Sequence, residues 1–88
     1  MAVLASQLKE LDLTGCLQIR SSALENISRL PQLEELYLGF CTQLVTDDLH
    51  MLQRCPKLKT IDLTYSIPLT HALIDLLLRI DSLEKVIF

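Results

Sequence analysis

Apolar residues return along this chain in a fixed phase. Displaced by 25 residues, the sequence falls on itself. Leu8, Leu33, Leu58 and Leu83 share one column. Leu11, Leu36, Ile61 and Val86 share the next, and Leu13, Leu38, Leu63 and Phe88 the third. Cys16, Cys41 and Ser66 follow, then Ile19, Leu44 and Leu69. Leu24, Leu49 and Ile74, then Ile27, Leu52 and Leu77, then Leu30, Cys55 and Ile80 complete the set, in which Ser66 alone is not apolar. A repeat of this length decides the architecture before any single residue does. Each Leu-x-x-Leu-x-Leu stretch ends at period two, the spacing of a short strand with one buried face. The second half of each unit steps by three and predicts a helix. Ser22 with Glu25 reads as a capping box for the first helix. Thr46 or Asp47 is placed to cap the second, and the third begins near His71 with a weaker cap. Pro31 and Pro56 close the first two, since proline has no N–H for a continuing ladder. Such a strand and helix cannot bury an apolar face alone, whereas stacked copies bury a continuous core. The fold class is therefore α/β, a solenoid with a parallel inner sheet and outer helices. A small helical bundle also suits leucines three apart, but it leaves the fixed recurrence of Leu-x-x-Leu-x-Leu unexplained.

The units run approximately over residues 8–32, 33–57 and 58–82, with a partial unit at 83–88 and residues 1–7 in phase with the tail of a preceding helix. Residues 1–88 thus form a single domain of about three and a half repeats with uncapped ends. The stretch from Leu33 to Leu58, LEELYLGFCTQLVTDDLHMLQRCPKL, resembles the leucine-rich-repeat superfamily, and specifically its cysteine-containing subclass. That subclass reads roughly Leu-x-x-Leu-x-Leu-x-x-Cys-x-x-Ile-Thr-Asp and then a helix ending near Cys-Pro. Here the unit is one residue shorter than the usual length, and Thr46-Asp47 sits one place late. The first unit has Leu30-Pro31 where the second has Cys55-Pro56, and the third carries Ser66 and Ile80-Asp81. The resemblance implies a right-handed leucine-rich-repeat solenoid and a non-catalytic protein–protein recognition module. In this subclass such modules are commonly the substrate-binding part of F-box ubiquitin-ligase adaptors. No F-box-like segment is read before the first repeat strand at Leu8, so a ligase role rests on the resemblance alone. The alternative is a structural subunit of a larger assembly, docking through its open ends and third helix.

Composition narrows the partners further. At 88 residues, half of them apolar and 22% charged, the chain has the makeup of one folding domain. A formal net charge of −3 removes the electrostatic reason to expect nucleic acid or an anionic membrane surface. No apolar run approaches the ~18–20 residues of a spanning helix, so no membrane insertion is expected. The stretch Met1 to Glu10 lacks the pattern of a signal peptide. Three cysteines without a CxxC spacing read as reduced thiols, hence an intracellular and most simply cytoplasmic setting. Two glycines leave little material for a phosphate-cradling loop, and no cofactor is expected.

Candidate contact residues come from the positions between the buried leucines. Asp12, Glu35, Tyr37, Phe40, Asp62 and Tyr65 form an expected partner-binding patch on the inner sheet, acidic around three aromatics and suited to a basic, partly apolar protein surface. Leu73, Leu76 and Leu78 are expected outside the core on the third helix and, with Ile87 and Phe88 on the last strand, form an expected assembly contact. Lys9, Glu34, Lys59 and Glu84 alternate in sign and read as cross-strand pairs. Chemistry is weaker. Asp12 and Asp62, two repeats apart, stand about 10 Å from each other, just beyond the separation of paired catalytic carboxylates. Cys16 and Cys41 read as buried neighbours without a base. His50 and Cys55 lie five apart on different helix faces and do not make a metal site. Arg29, Arg54 and Arg79 suit helix C-termini. The expectation is that the chain is not an enzyme.

Overall fold

In a computed structural model, residues 6–88 are described. The expected helix tail at residues 1–7 therefore falls, for residues 1–5, outside the described part. Four strands form one parallel sheet in chain order: β1 (Glu10–Asp12), β2 (Glu35–Tyr37), β3 (Thr60–Asp62) and β4 (Lys85–Ile87). Between them lie α1 (Ser21–Ile27), a 3-10 helix (Thr46–Arg54) and α2 (His71–Leu78). The register follows the sequence period. Glu10, Glu35, Thr60 and Lys85 stand in one row, Leu11, Leu36, Ile61 and Val86 in the next, and Asp12, Tyr37, Asp62 and Ile87 in a third.

Alternation decides which face of each strand is covered. Leu36 and Ile61 are fully buried, while their neighbours on both sides are half-exposed. The same core takes Leu33, Leu38, Leu58 and Leu63 from the strand flanks and Leu24, Leu49, Leu52 and Leu73 from the helices. Each such leucine contributes about 1.5–3 kcal/mol by leaving water. The helices lie side by side, with the 3-10 helix packed between α1 and α2. At the end units, Leu11, Leu13, Cys16, Leu83 and Val86 are only half-covered, because among the described residues each has a neighbouring strand unit on one side alone.

Helix details depart from the sequence reading. The box expected from Ser22 and Glu25 does not form. The residue before α1 is Arg20, which makes no side-chain cap, and Glu25 instead pairs with Arg29 at 3.3 Å. The second helix is 3-10 and nine residues long, unusual for that form. Leu49, Leu52 and Cys55 recur every three residues, matching three residues per turn. Asp48, rather than Thr46 or Asp47, holds its start, its Oδ2 accepting from the Val45 N–H at 2.9 Å. The third helix is the one with a side-chain N-cap, since Thr70 Oγ1 accepts from the Leu73 N–H at 3.2 Å.

The third unit also slips out of phase. Leu73 is fully buried where the period places Ile74, and Ile74 is 40% exposed. Ile67 is buried where the period places Leu69, and Leu69 is 58% exposed. Pro68 lies inside this shift, restricting Ile67 to extended backbone and supplying no N–H. The α-helical spacing from Leu73 to Leu77 then replaces the three-residue step of the earlier units. Leu73 is accordingly not an outer contact residue but part of the core. Leu76 is half-covered against that core, whereas Leu78 stands 76% exposed.

Candidate functional site

The uncovered face of the sheet begins with its acids. Glu10 and Glu35 lie opposite each other on β1 and β2, and Asp12, Tyr37 and Asp62 form the adjoining row. Glu34 Oε1 lies 3.7 Å from Lys59 Nζ, so the expected alternation of charge yields one ion pair at this distance among the described residues. Both aspartates are partly engaged by their own chain. Asp12 Oδ1 accepts from the Thr14 N–H at 2.9 Å. Asp62 Oδ1 accepts from the Thr64 N–H at 2.9 Å and the Thr64 hydroxyl at 2.6 Å. These contacts close short Asx turns where the strands end. Hydrogen bonds from Thr14, the side chain foremost, hold the Asp12 carboxyl below its usual range. Tyr37 Oη donates to Glu35 Oε1 at 3.0 Å, and that bond is the main reason the phenol is pushed above its usual value.

Beyond the strands the chain turns sharply away from the sheet. Each turn closes by a backbone bond to the carbonyl three residues back: Cys16 N–H to Leu13 at 3.1 Å, Cys41 N–H to Leu38 at 3.4 Å, Ser66 N–H to Leu63 at 3.0 Å. The third residue of each turn has positive φ: 79° at Gly15, 58° at Phe40 and 52° at Tyr65. Glycine suits this conformation, whereas a side chain costs about 1–2 kcal/mol there. Two aromatics nevertheless occupy it. Their ring centroids lie 5.3 Å apart with planes tilted by 42°, a favourable aromatic geometry. Phe40 is 49% and Tyr65 79% exposed, so the rings do not fold inward over the core.

The fourth residue of each turn works inward. Cys41 Sγ donates to the Leu13 carbonyl at 3.2 Å. One unit later, the Ser66 hydroxyl donates to the Leu38 carbonyl and accepts from the Cys41 N–H at 3.1 Å. Ser66, the single polar member of the apolar columns, is thus a hydroxyl in the thiol's role, joining one turn to the previous one. Burial pushes the Cys41 thiol up and raises Cys55 to about 11. Among the described residues, no three His, Cys, Asp or Glu side chains gather as metal ligands would.

The structure therefore brings Phe40 and Tyr65 together, and places Asp12, Tyr37 and Asp62 in one row with Glu35 beside Tyr37. Tyr37 joins the acidic row rather than the paired rings. Leu69 was missed from the sequence because its column assigned it to the core. It lines, with Tyr65, Pro68 and Phe88, a shallow groove of about 350 Å³ that extends the aromatic surface. Pro68 beside it was the available signal. At the far end, Leu78 and Phe88 border a second open groove of about 430 Å³ between α2 and β4, also lined by Ile74, Leu77 and Val86. Ile87 is half-covered on β4. No described helix is long and apolar enough to cross a membrane.

No known protein family and no curated protein sequence matches the chain. Among solved structures it is similar to a tropomodulin C-terminal domain from Caenorhabditis elegans, with a TM-score of 0.62 at 15% identity. The match covers 92% of this chain and 55% of that one, so the chain spans little more than half the length of that domain. At this identity the similarity concerns the fold.

Proposed function

We propose that the chain is a right-handed leucine-rich-repeat solenoid of about three and a half units that acts as a non-catalytic protein-recognition module. The single observation carrying this reading is the adjacent, exposed ring pair Phe40 and Tyr65 on positive-φ backbone. Strain retained where glycine fits better, by side chains that cover little of the core, needs a use outside the fold. Rigid aromatic surface is what dominates protein interfaces. Glu10, Asp12, Glu35 and Asp62 on the adjoining sheet favour a basic segment with an apolar anchor seated toward Leu69 and Phe88. A role as ubiquitin-ligase-type adaptor is carried by the resemblance of Leu33–Leu58 alone.

The test is a random-peptide display library panned on the 88-residue chain and on Phe40→Ser/Tyr65→Ser. The wild-type chain should enrich peptides pairing Arg or Lys with an apolar residue, and the double variant should not. Equal enrichment by both, with the variant still folded by circular dichroism, removes this reading. A second reading, an assembly subunit docking through its last unit, is favoured by a specific observation: Leu78 and Phe88 are 76% and 52% exposed beside the open groove at that end.

A further inference from the structure

The two edges of the sheet carry matching charge. Along the chain each strand stands in one register to the next, and the row just before the paired residues keeps it. The Glu34, Lys59 and Glu84 N–H groups each donate to the carbonyl of Lys9, Glu34 and Lys59 respectively, all at 2.8 Å. Those same carbonyls also accept from Glu35, Thr60 and Lys85. On the other flank, Leu13, Leu38 and Leu63 each donate to the carbonyl of Tyr37, Asp62 and Ile87. Carried one step past β4, the ladder calls for two donors against the Glu84 carbonyl and one acceptor for the Phe88 N–H. Among the described residues no strand pairs with the outer edge of β1, which offers them in order: the N–H groups of Lys9 and Glu10 and the carbonyl of Asp12.

We infer that the 88-residue chain self-associates head to tail, the β4 edge of one copy pairing in parallel with the β1 edge of the next. This inference rests on the second reading above and gives its docking end an occupant, another copy of this chain. In the continued register Glu84 meets Lys9 and Lys85 meets Glu10, two opposite-charge pairs. The first repeats the Glu34–Lys59 row, whose members lie 3.7 Å apart. Val86 continues onto Leu11 and Phe88 onto Leu13, extending the apolar columns. Ile87 against Asp12 is the one row that gains nothing. A symmetric β4-to-β4 contact centred on Val86 is antiparallel, sets Lys85 against Ile87 and gains no charge pair. Head-to-tail contacts leave a free edge at each end of the product, so the assembly grows in steps instead of closing as a dimer.

The experiment is sedimentation velocity with light scattering across a concentration series, on the wild-type chain, Lys85→Glu, Glu10→Lys and the double variant. Lys85 stands opposite Thr60 within its own chain and Glu10 opposite Glu35, so neither reversal opposes a favourable internal pair. The wild type should show a ladder of masses. Each single variant should self-associate about five-fold more weakly, from one attractive pair turned repulsive, and the double variant should recover wild-type affinity. A closed dimer that grows no further overturns head-to-tail pairing while leaving the docking end intact. A constant monomer overturns self-association altogether. Weakening in the double variant equal to the sum of the singles removes the assigned register.

Discussion

At position 65, glycine should be more stabilising than alanine. At most positions the order is opposite, because glycine surrenders more backbone freedom on folding, about 0.5–1 kcal/mol relative to alanine. Tyr65 has φ of 52°, where any side chain costs about 1–2 kcal/mol. Tyr65→Ala keeps that cost and removes the ring, whereas Tyr65→Gly removes both, leaving glycine ahead by about 0.5–1 kcal/mol. For a domain of this size that is a difference of about 4 °C in Tm. Urea unfolding and a thermal scan of the two variants measure it. Asp75, exposed on α2, serves as the control, where alanine should lead glycine by about 1 kcal/mol. Gly15 probes the same backbone from the other direction. A Cβ built there meets nothing within 4 Å, so Gly15→Ala should cost about 1 kcal/mol from conformation alone. If alanine equals or exceeds glycine at position 65, the turn is not strained and the argument from strain to recognition fails.

Three further outcomes follow from the packing. The folded Cys55 thiol titrates near 11 against an ordinary 9.0, so the native state holds its proton while the unfolded chain loses it. Stability should be unaffected below pH 9 and fall by about 2–3 kcal/mol as pH rises from 9 toward 11; urea unfolding of wild type and Cys55→Ala at pH 8 and pH 10.5 isolates this loss, and an identical fall in both removes it. Leu73→Ala should cost about 2–5 kcal/mol from a fully enclosed site, while Leu78→Ala stays within about 0.5 kcal/mol, and equal losses in chemical denaturation contradict the shifted third unit. Ser66→Ala removes the hydroxyl that bonds both the Leu38 carbonyl and the Cys41 N–H, leaving that N–H only its 3.4 Å turn bond, and should cost about 1–3 kcal/mol, with Ser66→Cys recovering part of it; an unaffected midpoint would show that the hydroxyl is not a structural link.

The period of the apolar columns was enough to place every strand and its register, because a parallel stack requires equivalent residues to meet. It failed where local chemistry overrode the period. Pro68 displaced Leu69 and Ile74 to the surface and drew Ile67 and Leu73 inward, a change that no count of 25 records. Helix type was equally hidden, since leucines three apart suit α1 and the 3-10 helix alike. At the candidate site, the residues Phe40 and Tyr65 were visible but their backbone was not. Gly15 in the same column was the signal that the position needs positive φ. The roles of Asp12 and Asp62 in closing turns lie outside the apolar columns; the signal for them is the threonine two residues after each, Thr14 and Thr64, whose N–H is the donor.

Because each described strand pairs only with strands 25 residues away, no strand pairing among the described residues fixes how many such stretches the sheet must have. A duplicated unit inserted between β2 and β3 would meet the same rows on both sides, at the modest entropic cost of closing one more loop of that length, about 3 kcal/mol. Length is then a heritable variable that gene duplication can change in single steps. Such steps would lengthen the exposed sheet face while leaving the Phe40–Tyr65 corner as a local feature of two adjacent units.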